Sequence, residues 1–131
     1  MEQSAYALFE HALYGLSSSE LTVENVTALY EEVCQYFGLD SSQWDSQDFV
    51  TIMHFYTNPM YIISYVVSND LALQFYQMEL DNPGSGLHLY EEVLTSQDSY
   101  LLNFAQTYGL ESPFSESRLQ TVAEIFQNTI Y

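Results

Sequence analysis

The chain has no lysine. Its one arginine, Arg118, stands against 18 aspartates and glutamates, and the formal charge is −17 at pH 7 with histidine neutral. Phosphate backbones are bound by lysine and arginine, so nucleic acid is a poor partner and is not expected, and the same negative field repels anionic membrane surfaces. The acidity reads first as a solvated surface that confers solubility, with a basic partner as the alternative. Cysteine is almost missing as well. Cys34 is alone, which rules out an internal disulfide and a cysteine-built zinc cluster, and with Val33 and Tyr36 beside it the thiol reads as buried. No uninterrupted apolar stretch of about 18–20 residues is present, so a membrane-spanning helix is not expected. No basic segment leads into an apolar one at the N-terminus, so no signal peptide is expected and the chain reads as cytoplasmic. There is no nucleophile elbow, P-loop or GxGxxG, no alternating strand pattern, and no repeat of fixed period.

Apolar and aromatic residues are abundant. They make up 47% and 16% of the 131 residues, enough for a packed core in one domain spanning residues 1–131. The spacing predicts an all-α fold of about six to seven helices. Tyr6, Leu8, Phe9, Leu13 and Leu16 form the first stripe, with Gly15 as its stop. Thr22 is placed to cap a second helix whose buried face is Val26, Leu29, Tyr30, Val33 and Phe37, closed by Gly38. A loop over residues 39–45, pinned by Trp44, leads to a third helix capped by Ser46 and reaching His54. Asn58-Pro59 breaks the pattern, because proline lacks an N–H and disfavours helix in the residue before it. Beyond it, residues 60–80 carry apolar side chains on nearly every face and almost no charge. That stretch reads as the central helix of the domain, surrounded by protein. The strongest turn signal covers residues 81–86. Short helices are then expected over residues 87–94 and 96–108, the latter closed by Gly109, with Ser115 capping a last helix.

Three histidines are present, and none begins a His-Glu-x-x-His zinc motif. His11 adjoins Glu10, but neighbours on a helix point apart. His88 stands three and four residues before Glu91 and Glu92, a spacing suited to a weak metal site and equally to a solvated helix face. His54 is more interesting. With Tyr56, Tyr61 and Tyr65 it surrounds the proline break, and an imidazole and phenol hydroxyls facing one cleft can hold peptide carbonyls or an oxyanion.

The segment HFYTNPMYIISYVVSNDLALQFYQM, residues 54–78, resembles the stretch that follows the zinc ligands in oligoendopeptidase F-type metallopeptidases, relatives of thimet oligopeptidase. His54, Pro59, Tyr61, Ile63 and Tyr65 match that pattern, as does Leu71-Ala72-Leu73-Gln74-Phe75-Tyr76. The flanks are similar in the same order: Phe9-Glu10-His11-Ala12-Leu13-Tyr14, the helix beginning near Thr22, and Gly109-Leu110-Glu111-Ser112-Pro113-Phe114. Ile62 stands where the family has a tyrosine, and Ser64 where it has an aspartate. The resemblance implies the C-terminal part of a helical peptidase catalytic domain, with His54, Tyr61 and Tyr65 contacting a bound peptide. It implies zinc in the full-length family but no cofactor in this chain, which lacks the ligand motif and is therefore expected to be inactive alone. The expected partners are an oligopeptide or the missing zinc-bearing half, and a second copy of the chain through the apolar bend. A stand-alone helical peptide- or protein-binding module is the alternative.

Overall fold

The computed structural model describes residues 2–39, 45–97 and 100–130, the last three of these by backbone alone. The expected role of Trp44 falls outside the described residues. Seven α-helices, and no strand among the described residues, make the chain all-α. They are α1 (Glu2–Gly15), α2 (Val23–Tyr36), α3 (His54–Thr57), α4 (Ile63–Asp81), α5 (Ser85–Val93), α6 (Leu101–Thr107) and α7 (Glu116–Ile130), with a 3₁₀ turn at Asp48–Thr51 before α3. No described helix is long and apolar enough to cross a membrane.

Several boundaries follow the local chemistry of the sequence. Thr22 caps α2, its Oγ1 accepting from the Asn25 N–H at 3.2 Å. Gly38, at φ +65°, ends α2 in a left-handed turn that lets the Leu39 N–H reach the Cys34 carbonyl at 3.0 Å. The Leu110 N–H closes α6 on the Ala105 carbonyl in the same way. Ser115 caps α7 by accepting from the Arg118 N–H at 3.2 Å.

Other boundaries depart from the expected ones. The helix expected from Ser46 to His54 is a 3₁₀ turn, and His54 opens α3 instead of closing a helix. Asp45 and Asp48 cause this by taking local amides: Asp48 Oδ2 accepts from the Asp45 N–H at 2.8 Å and Asp45 Oδ1 from the Gln47 N–H at 2.9 Å. The long helix starts at Ile63, three residues later than its composition suggests, because Met60 is left-handed at φ +60°. α5 begins at Ser85, two residues early, and α6 at Leu101, five residues late.

The chain divides into two compact units, Met1–Val66 and Val67–Tyr131, with the division inside α4. In the first unit Ala5 and Phe9 from α1, Tyr30, Val33 and Cys34 from α2, and Phe49, Phe55 and Ile62 form one core. Phe9 is its hub, with no exposed surface and edge-to-face contacts to Tyr30 and Phe55, both at centroid distances of 5.1 Å. Such aromatic pairs contribute about 0.5–1.5 kcal/mol each beyond area burial. Burial pushes the Tyr6 phenol up to about 12, helped by its hydrogen bond to Glu2, and raises Tyr30 and the Cys34 thiol, so all three stay neutral at physiological pH. Leu8, expected on the buried stripe, is 41% exposed.

The second unit buries Val67, Ala105 and Leu110 and adds a network of polar side chains. Arg118 is 2% exposed and donates from Nε to Asp70 Oδ1 at 2.8 Å and from Nη1 to Gln77 Oε1 at 3.1 Å. Its Nη2 has no hydrogen-bond partner among the described residues. Asp70 Oδ2 accepts from Gln74 Nε2, and Gln74 also clasps the Glu111 backbone, accepting from its N–H at 2.8 Å and donating to its carbonyl at 3.0 Å. α5 packs against α4 at Gly86, where a Cβ would run into the Phe75 carbonyl oxygen. The Glu79 carboxylate caps α5 by accepting from the Gly84 and Leu87 N–H groups, and these bonds lower its pKa.

Candidate functional site

The bend between α3 and α4 is built from backbone hydrogen bonds outward. The Asn58 N–H donates to the His54 carbonyl at 3.1 Å and ends α3, since Pro59 has no N–H with which to continue it. The Tyr61 N–H then closes a turn on the Asn58 carbonyl at 3.1 Å. Within that turn Met60 sits at φ +60°, a conformation that costs a side-chain-bearing residue about 1–2 kcal/mol.

Glu10 offsets that cost. It lies on α1, 1% exposed, and its carboxylate accepts from the Met60 N–H at 2.8 Å and the Ile62 N–H at 3.2 Å. Two orphan amides ahead of α4 thus gain a charged acceptor at the positive end of the helix dipole. Ile62, between the clamp and α4, is buried in the core at 2% exposure. Tyr14 adds a second tie from α1, its hydroxyl donating to the Phe55 carbonyl at 2.8 Å.

These restraints bring His54, Tyr61 and Tyr65 together. The His54 and Tyr61 rings stack at 5.2 Å with planes 10° apart. Tyr65 meets both edge-on, at 5.7 Å from His54 and 5.4 Å from Tyr61. Tyr65 Oη lies 3.3 Å from His54 Nε2. If the phenol donates to Nε2, the imidazole proton is on Nδ1; in the other tautomer Nε2–H donates to the phenol oxygen. Desolvation, and then the neighbouring Tyr61, raise the Tyr65 pKa above the ordinary phenol value. Tyr61 is 43% and Tyr65 37% exposed, and His54 is half-buried, so the cluster opens to solvent. The Met60, Tyr61 and Ile62 amides are already engaged.

Tyr56 does not join the cluster; its hydroxyl donates to the Phe49 carbonyl at 3.3 Å. His11 lines a shallow apolar groove of about 400 Å³ with Ala7, Leu8, Met60 and Ile63. His88 lies in the second unit, 3.6 Å from Glu92 at an exposed i, i+4 spacing. Among the described residues no group of three or more His, Cys, Asp or Glu side chains could hold a metal ion. Glu10 is the residue that sequence reasoning missed. Its only local signal is a carboxylate inside an apolar stripe, between Phe9 and Leu13, and its partners lie 50 and 52 residues away.

No family model matches the chain, and no curated protein or solved structure matches it either.

Proposed function

We propose that this chain is the substrate-facing C-terminal part of an oligoendopeptidase F-like zinc peptidase, and that it binds oligopeptides without hydrolysing them alone. The observation that supports this most is the convergence of His54, Tyr61 and Tyr65 into one solvent-open face. A peptide presents carbonyl oxygens at regular intervals, and phenol and imidazole donors on stacked rings suit them. The same donors suit the oxyanion that forms when a carbonyl is attacked. No set of side chains among the described residues fits zinc, so in this reading the metal and its activated water are supplied by a separate zinc-bearing half. That half and the peptide are the partners, the apolar bend also offers a face to a second copy of the chain, and the setting is the cytoplasm.

The test is to identify the reading frame beside this one and express the two together. The expected frame encodes His-Glu-x-x-His, and the expected pair cleaves peptides that this chain alone leaves intact. Tyr65→Phe in that pair lowers kcat by about 10²–10³, the usual loss for one oxyanion donor. Peptide binding by this chain with no such frame nearby would favour the stand-alone binding module. A chain that binds no peptide and gains no activity from any partner would overturn both.

A further inference from the structure

We infer that Glu10 is the positioning residue of the His54–Tyr61–Tyr65 face. Its carboxylate, by holding the Met60 and Ile62 amides, fixes the left-handed turn at Met60 and so lays the Tyr61 ring on the His54 imidazole. Glu10 touches none of the three rings through a hydrogen bond; its bonds go to the backbone on either side of Tyr61, at 2.8 and 3.2 Å. A carboxylate buried to 1% exposure with no ion pair among the described residues is costly unless its oxygens are satisfied, and each Glu10 oxygen takes one of these amides. The left-handed Met60 is held against its own preference, which a clamp on its own N–H can sustain. Removing the clamp frees Met60 to return to an ordinary conformation. The peptide planes on either side then rotate, and Tyr61, the next residue, loses its place on His54. Core residues such as Phe9 and Tyr30 pack against one another through contacts that do not pass through this turn.

The inference rests on reading this face as a binding site, but its test needs no ligand. The ring current of Tyr61, stacked at 5.2 Å, displaces the His54 ring protons upfield in NMR spectra. Glu10→Gln keeps the side chain's size but leaves one acceptor oxygen for two amides. The expected result is a folded chain, with helical circular dichroism retained, whose His54 signals move back toward those of a free imidazole. Adding Met60→Gly should restore the upfield position, since glycine adopts φ near +60° without penalty and no longer needs the clamp. A purely structural Glu10 would not be rescued at Met60. Unchanged His54 signals in Glu10→Gln, failure of Met60→Gly to restore them, or global unfolding of Glu10→Gln would each overturn the inference. Loss of the stack together with unaltered peptide affinity would leave the positioning role standing and count against the proposed function alone.

Discussion

The two units bury their polar groups by opposite means. The first has no lysine or arginine in it, and the one deeply buried carboxylate among its described residues, Glu10, is satisfied by backbone amides of the bend. The second holds the only arginine and uses it on Asp70, with Gln74 and Gln77 completing the network. The difference teaches where each polar group can act. Asp70 and Arg118 answer each other, so their pairing fixes helices and presents nothing outward. Glu10 answers a stretch of strained backbone, so its burial is coupled to the orientation of exposed rings. The surroundings differ too: Phe9 sits at the centre of a ring cluster in the first unit, whereas in the second Gln74 ties α4 to the Glu111 backbone beside the buried Val67, Ala105 and Leu110.

The largest expected effect breaks the ion pair. Arg118→Met leaves Asp70 buried at 13% side-chain exposure without its cation, and such a loss costs about 3–5 kcal/mol. Denaturant unfolding should record it, with hydrogen exchange accelerated in α7 and little changed in α1. Adding Asp70→Leu should recover most of the loss, because an apolar pair does not carry the desolvation penalty of an unpaired charge. Phe9→Ala is the counterpart in the first unit. A fully buried phenylalanine removed from a ring cluster costs about 3–5 kcal/mol, with exchange accelerated in α1 and α2 instead. A double variant with no recovery, or exchange spread evenly over both units in either single variant, would break the contrast between them.

Much of this architecture was legible in the sequence. The stripes through Phe9 on α1 and through Tyr30 and Val33 on α2 have helical period and became the core; Thr22, Gly38, Ser115 and Gly109 have local meanings and became caps and stops. Pro59 marked the bend, and His54, Tyr61 and Tyr65 around it converge. What escaped is non-local. Glu10 and Arg118 look like surface charges because nothing within a few residues of either satisfies them; their partners are 50 and 48 residues away. The 3₁₀ turn before α3 was missed for another reason: the Asp45 and Asp48 carboxylates can accept from the amides of a helix start or of a tight turn, and the turn prevailed.

A smaller effect is expected at the α4–α5 crossing. Gly86→Ala drives a methyl group into the Phe75 carbonyl and should cost about 1–3 kcal/mol, as overpacking does, measured by thermal unfolding. The smallest is a pH effect at the same junction. The Glu79 pKa is lowered in the fold by the Gly84 and Leu87 amides, so its contribution is fully present above the ordinary carboxylate value of 4.5 and disappears as pH falls through the lowered one. Amide exchange in α5 should therefore rise in acid, after correction for intrinsic rates, and Glu79→Gln should abolish that dependence. Equal acid sensitivity in the variant would assign the effect to another group.

The proposed peptide-binding role requires the exposed ring cluster of the first unit to act as one face. Selective NMR labelling of tyrosine and histidine, followed during titration with a short uncharged end-capped peptide, tests it directly. The expected result is a concerted, saturable movement of the His54, Tyr61 and Tyr65 signals, while Tyr36 and Tyr100, 79% and 75% exposed, stay in place. Signals that remain still at saturating peptide, or that drift equally in Tyr36 and Tyr100, would contradict it.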